Sequence, residues 1–216
     1  MRELDLTTRP GTGVYAKGQQ RILEILRAAR DVLINEGYHQ LTMRKVAKRC
    51  GITVGNLNYY YPSKADLLKD LLDRVVDGYM LEFERIRGEH NTSPLLQFEA
   101  IIRFLMEDLA SPETTVFFPE LWALANHDAY SAERMDDIYE SARSVFNDLI
   151  PQINPGLSEA ETAQVALFIS ASIEGHTMFI GDGKAWNQQR EAIINIAVRS
   201  LTQLVTEIKP DHIASP

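Results

Sequence analysis

One cysteine, Cys50, is too few for a disulfide framework within the chain, and its solitary thiol fits a reducing compartment. Long apolar runs are missing as well. The longest charge-free apolar stretch near the C-terminus, residues 162–173, falls short of the roughly 18 to 20 residues that a membrane span needs. The first thirteen residues are too polar for a signal peptide, so a cytoplasmic location and no membrane partner are expected. Histidines are scattered: His39, His90, His127, His176 and His212 show none of the i, i+3 or i+4 pairing that metal sites use. Neither a metal nor a cofactor is expected. No stretch alternates with period two, and no glycine-rich loop follows a strand. Asp136 and Asp137 point in different helical directions, as surface charge does, which leaves a small helical enzyme as a rival reading with little to carry it.

What the chain does have is apolar content and an uneven charge. At 216 residues and 45% hydrophobic, it can bury a sizeable core. The net charge of −8 argues at face value against nucleic acid, but residues 1–64 hold 11 lysines and arginines against 5 acids, while the rest hold 11 against 25. An anionic polymer would be drawn to the head and repelled by the body, which orients docking rather than forbidding it. The alternative is an ordinary solvated face.

The sequence reads as helix after helix. Residues 19–36 carry Ile22, Leu26, Ala29 and Leu33 at helical spacing and stop at Gly37. Thr42 can cap a short helix whose apolar side is Met43, Val46, Ala47 and Cys50 and whose other side is Arg44, Lys45, Lys48 and Arg49. Gly51 ends it. A second short helix runs from Thr53 to about Tyr61 and is halted by Pro62, after which Ser63 caps a long helix to about Gly88. Further helices are expected at residues 94–110, at 113–127 with an interruption at Pro119, and at 129–150. After the loop "PQINPGLS", two more follow at 158–180 and 187–208, giving an all-α chain of about nine helices.

Two short helices joined by a glycine-containing turn, behind a preceding helix, are the sequence form of a helix-turn-helix, whose second helix enters the major groove in DNA-binding versions. At 100° per residue Leu57 and Tyr61 point inward together, while Gly55, Asn56 and Tyr59 point away and Asn58 and Tyr60 flank them. Asparagine can pair with an adenine edge, tyrosine hydroxyls can bond phosphates, and Gly55 lets the backbone approach. Tyr61 is better explained as a packing aromatic than as a contact, and one or two cations of the Arg44–Arg49 cluster are expected on phosphates. Arg2, Arg9, Lys17 and Arg21 form either an arm toward the DNA or a flexible tail spanning residues 1–18.

The stretch "ILRAARDVLINEGYHQLTMRKVAKRCGITVGNLNYYYPSKADLL" resembles the N-terminal DNA-binding region of the TetR family of bacterial transcriptional regulators. That family's usual pattern is T-x-x-x-I-A-x-x-A-G-V-S-x-G-x-L-Y-x-H/Y-F-x-S-K-x-x-L. About 50 residues carry the likeness, with the capping threonine, turn glycine, inward Leu57 and Ser63-Lys64 in register. The resemblance implies phosphate contacts from Thr42 and Lys64, Tyr59 and Tyr60 on or near the backbone, and Thr53, Gly55 and Asn56 near base edges. Val54, Asn58, Arg44 and Lys45 are further candidates for the DNA-binding surface, beyond what the resemblance implies. Asn58 stands where the family has tyrosine, Tyr61 where it has phenylalanine and Cys50 where it has alanine; the Tyr61 hydroxyl needs a partner in a core position.

The expected division is a DNA-binding domain over residues 1–64 and an effector-binding and dimerisation domain over residues 65–216. Helix 158–180 is apolar nearly all round, which predicts burial on both sides, and helix 187–208 carries a stripe wider than one small domain covers. A homodimer follows, with these two helices pairing with their mates as a four-helix bundle, as the resemblance also implies. The expected interface is Phe168, Ser172, Gly175, Ile194, Val198, Leu201 and Val205. Two heads would then read a pseudo-palindrome in double-stranded DNA. A small apolar or amphipathic effector would release them, with Phe104, Phe118, Trp122, Tyr139, His176 and Phe179 as candidate contacts, although any aromatic-rich helical core has the same composition. A repressor is the expected sense, and a DNA-binding scaffold without an effector is the alternative.

Overall fold

The computed structural model describes residues 14–127 and 129–213, and Arg2 and Arg9 of the expected arm lie outside them. The α-helices are α1 (Val14–Glu36), α2 (Met43–Arg49), α3 (Val54–Tyr60), α4 (Lys64–Glu89), α5 (Pro94–Leu109) and α6 (Pro112–Ala125). They continue as α7 (Ala129–Ile153), α8 (Glu159–Gly175), α9 (Thr177–Ile180), α10 (Arg190–Glu207) and α11 (Pro210–Ile213). No strand occurs among the described residues, so the all-α expectation holds. Several boundaries differ, α1 starting at Val14 rather than residue 19 and α10 at Arg190 rather than residue 187. Pro119 and Pro151 sit inside α6 and α7 rather than ending them, and the expected helix 158–180 is split after Gly175.

The chain forms two compact units, and the boundary between them falls inside α4, α6 and α7. Among the described residues, the head unit comprises 14–79 with the segment 116–138. Its core is the inward stripe of α1 (Leu23, Leu26, Ala29, Leu33), Leu41, Val46 and Ala47 from the first short helix, Leu57 and Tyr61 from the second, and Leu67, Leu71 and Val75 from α4. Phe117, Phe118 and Leu121 of α6 are buried in the same unit, with Phe118 tilted against Tyr79 at 6.2 Å between ring centroids. A three-helix head alone is too small to exclude water from so many side chains. The α6 and α7 segments enlarge its core.

The body unit comprises Met80–Thr115 with the residues from Tyr139 onward. Here α10 packs chiefly against α5, and α8 packs against both. Arg103 of α5 ties to α10 through Asn195 Oδ1 at 2.7 Å and Glu191 Oε1 at 3.3 Å. Ser158 starts α8 with a full capping box: its hydroxyl accepts from the Glu161 N–H, and the Glu161 carboxylate accepts from the Ser158 N–H. Asn154 closes the far end of α10, its Nδ2 donating to the carbonyls of Val205 and Ile208 at 3.1 and 2.9 Å, groups that the helix end leaves unpaired.

Within one chain the segment over residues 158–180, expected to be buried on both sides once a second copy pairs with it, is covered on one side only. Val165, Ala166, Ile169 and Ile173 face the body core, but Leu167 and Phe168 are 53% and 58% exposed. Beyond α8, Met178, Phe179, Trp186 and Ile196 are exposed too. An all-round apolar composition thus divides into one face inside the subunit and one that a single chain leaves in water.

Candidate nucleic-acid interface

Two threonine caps and one glycine turn build the interface. Thr42 Oγ1 accepts the Lys45 N–H at 3.3 Å and Thr53 Oγ1 accepts the Asn56 N–H at 3.1 Å, so each short helix has one of its orphan donors satisfied by its own N-cap. Between them Gly51 takes φ +66, where a Cβ is strained. Its N–H donates to the Lys48 carbonyl at 3.2 Å and the Ile52 N–H reaches back to the Ala47 carbonyl at 3.0 Å, the paired bonds of a Schellman turn. The turn reverses the chain so that α3 packs on α2.

Leu57 is fully buried and Tyr61 is 5% exposed, and the two hold α3 from behind. Tyr61 finds its partner in Asp70 of α4: its hydroxyl donates to Oδ2 at 2.5 Å, and Arg74 donates to the other carboxylate oxygen at 3.3 Å. Burial first, then the neighbouring carboxylate, push the Tyr61 phenol pKa up, so it stays a neutral donor. The opposite face is open. Thr53, Val54, Gly55, Asn56 and Asn58 are exposed, and Tyr59 is 82% exposed with Tyr60 edge-on to it at 5.3 Å. A phenol left in water at that level, beside a backbone bare of side chain at Gly55, is free to meet an incoming surface.

The cations divide. Arg44 and Lys48 are exposed, whereas Lys45 Nζ donates to Glu36 Oε2 at 2.7 Å and to Gln40 Oε1 at 2.6 Å. Arg49 lies 3.8 Å from the same carboxylate. The Lys45 hydrogen bond holds the Glu36 carboxyl below the usual carboxylate range, and its charge and that of Arg49 add to this against slight desolvation. A phosphate competing for Lys45 must therefore displace an existing anion. Lys64 is also engaged: its ammonium donates to the Tyr38 carbonyl at 3.1 Å and stands 3.5 Å above the Tyr38 ring centroid. Burial draws its pKa down. The Cys50 thiol reaches only the Glu24 carbonyl, at 3.7 Å, and burial raises its pKa, the opposite of an activated nucleophile. Lys17 is exposed and Arg21 pairs with Glu24 at 2.7 Å, both within α1.

The other candidates are scattered. Phe118, buried, and Trp122, half-buried, belong to the head unit; Phe104, Tyr139, His176 and Phe179 belong to the body unit. Phe104 lies edge-on to Phe83 at 6.2 Å. His176 Nδ1 lies 2.6 Å from the Ser172 carbonyl, which can only accept, so that nitrogen carries the proton. Phe179 is 60% exposed and lines no interior. Of the expected interface residues, Phe168 and Gly175 are exposed and Ser172 and Val198 are half-buried. Ile194, Leu201 and Val205 are instead 1%, 7% and 0% exposed within the subunit's own core, which corrects their placement on an outer face. Sequence reasoning passed over Glu120, whose carboxylate accepts the Tyr38 N–H, and the buried acid Asp108, which accepts the Thr114 hydroxyl at 3.0 Å. An apolar recess in the head unit, lined by Leu68, Leu72, Leu121, Leu124 and Met135, has room for no more than about one water molecule.

A capped short helix pinned by Leu57, with its polar face in solvent and cations around it, defines a helix-turn-helix DNA-binding protein. Residues 25–71 match the family model described as "Bacterial regulatory proteins, tetR family". The chain is 28% identical over 162 residues to an HTH-type transcriptional regulator in the dhlA 5′ region of Xanthobacter autotrophicus, covering 71% of this chain and 72% of that protein. Its fold is similar to that of a transcriptional regulator from Rhodococcus sp. Rha1, with a TM-score of 0.70 at 19% identity over 87% of this chain and 98% of the other. The FadR regulator of Bacillus subtilis, solved in complex with stearoyl-CoA, has a TM-score of 0.65 at 18% identity over 86% of this chain and 97% of that one. Residues 25–71 thus carry a DNA-binding segment of the kind found in the TetR family of bacterial transcriptional regulators, and the whole chain is similar in fold to solved regulators.

Proposed function

We propose that this regulator is a repressor that binds a pseudo-palindromic operator as a homodimer and is released by a small apolar or amphipathic effector. The exposed face of α3, with Tyr59 at its centre, is the observation that carries the DNA-reading role. Residues 1–64 are the DNA-binding domain in this reading, and residues 65–216 bind the effector and form the dimer. Thr42, Lys64, Tyr59 and Tyr60 hold the phosphate backbone, while Thr53, Val54, Gly55, Asn56 and Asn58 approach base edges and Arg44 and Lys45 add charge. The exposed apolar side of α8, with Leu167, Phe168 and Gly175, supports the dimer, because a patch of large side chains in water is stabilised by a second copy. The likeness in fold to a regulator solved with stearoyl-CoA, together with aromatic side chains in both units, supports an effector with a substantial apolar part. The site of action is the cytoplasm, and no helix among the described residues is long and apolar enough to cross a membrane. DNA binding rather than catalysis is the activity.

The test is titration of the duplex upstream of the protein's own gene at several salt concentrations. Affinity is expected to fall steeply with salt. Tyr59→Ala and Lys64→Ala are each expected to weaken binding about tenfold or more, with the Lys64 variant lowering the salt slope by about one. Full affinity in both variants, with the dimer intact, refutes the surface.

A further inference from the structure

The turn between α1 and α2 is gripped from both sides. Gly37, at φ +83, ends α1, and the next residue, Tyr38, has both its backbone groups taken by charged side chains from distant helices. Its N–H donates to Glu120 Oε2 of α6 at 2.8 Å, and its carbonyl accepts from the Lys64 ammonium at 3.1 Å, with its ring beneath the same ammonium at 3.5 Å. The Glu120 carboxylate also lies against Gly37, where an added Cβ would stand 3.4 Å from Oε2. Carboxylate, Tyr38 and ammonium therefore form one relay that crosses from α6 to the first residue of α4. Both hydrogen bonds involve an ionised group, which makes them stronger than a neutral turn contact. A second cation reinforces the turn, since Lys45 Nζ bridges Glu36 and Gln40 on either side of it.

We propose that Glu120 is a positioning residue for DNA binding: it fixes the Gly37–Tyr38 turn, which in turn holds Lys64 at the N-terminus of α4 and sets how α2 leaves α1. Glu120 itself touches no DNA. The inference rests on the regulator reading above and adds that α6 bears on the DNA-reading surface through one backbone amide. If Glu120 is withdrawn, the Tyr38 N–H loses its acceptor, the turn loosens and Lys64 loses the support beneath its ammonium. Any event that shifts the Glu120 stretch of α6 acts on the turn between α1 and α2 by the same route, because the amide can follow the carboxylate only by moving the turn.

The test compares Glu120→Ala with Glu120→Gln in the full-length protein. Glutamine keeps an acceptor at the same reach and alanine removes it. Glu120→Ala is expected to speed hydrogen exchange at the Tyr38 amide about tenfold or more and to weaken binding to the upstream duplex by a similar factor. Glu120→Gln is expected to restore most of both. Circular dichroism and the oligomeric state are followed in each variant, and loss of fold in Glu120→Ala with recovery in Glu120→Gln still assigns the effect to the acceptor. Wild-type affinity in Glu120→Ala, or a Glu120→Gln variant as defective as Glu120→Ala, overturns the proposal while wild-type binding stands. If the wild-type protein itself fails to bind the duplex, the regulator reading falls first.

Discussion

Leu57 and Tyr59 stand two residues apart on one seven-residue helix and meet opposite environments, the first wholly buried and the second 82% exposed. The helical period alone places them 200° apart, so a single inward leucine is enough to aim the tyrosine outward. Tyr61 is the subtler case, a polar aromatic in a core position that survives because Asp70 accepts its hydroxyl proton. Tyr61→Phe removes that donor but leaves Asp70 with Arg74. The expected loss is about 1 kcal/mol of stability, since one hydrogen bond to a charged group goes while the packing stays. It is measured as a lower urea midpoint at unchanged m-value, with DNA affinity preserved because the hydroxyl faces α4 rather than the duplex. A variant as stable as the wild type would mean the Tyr61–Asp70 bond contributes nothing net.

Helix α8 shows what composition at the element scale does and does not say. Its residues are apolar in every direction, yet only the side with Val165, Ala166, Ile169 and Ile173 meets the subunit core. The other side, with Leu167 and Phe168, is where the proposed dimer closes. Phe168→Glu, and more strongly Leu167→Glu with Phe168→Glu, is expected to give monomers by light scattering at micromolar concentration, because two charges per chain would have to be desolvated across the twofold. Helical content is expected to stay, as neither side chain supports its own subunit. Dimers persisting in the double variant would move the interface elsewhere. Loss of cooperative DNA binding in the monomer would follow from the separation of the two heads.

For the molecule as a whole, one acid of the body unit, Glu174, sets a dependence on pH. Burial pushes the Glu174 carboxyl up to about 7; a hydrogen bond from Tyr139 works against this and the charge of Asp108 with it. The folded pKa is above the unfolded value of 4.5, so the folded state holds the extra proton between the two. This group therefore does not oppose folding below about pH 4.5, and its penalty grows as pH rises and is complete above about 7. Glu174→Gln keeps an acceptor for Tyr139 without the charge. It is expected to stabilise the protein by about 2–3 kcal/mol at pH 8 and by much less at pH 5, read from denaturant titrations at both values. Equal effects at the two pH values would show that Glu174 ionises as an ordinary surface carboxylate.

Much of this molecule is local and was legible from local signals. Thr42, Thr53 and Ser158 marked helix starts, Gly37 and Gly51 marked ends, and the inward set of α3 followed from a period of 3.6, because capping and amphipathicity act within a few residues along the chain. Pro119 and Pro151 misled, since each stays inside a helix that the rest of the sequence sustains. The sequence by itself determined the helices, the helix-turn-helix and the outward face of α3. Tertiary structure alone decided which side of α8 is covered, that Ile194, Leu201 and Val205 serve the subunit core, that Lys64 rests on Tyr38, and that Glu120 reaches an amide 82 residues away. Those outcomes depend on which helix packs beside which, and a side chain's partner across such a distance is set by the summed packing of the intervening chain rather than by any pattern near it.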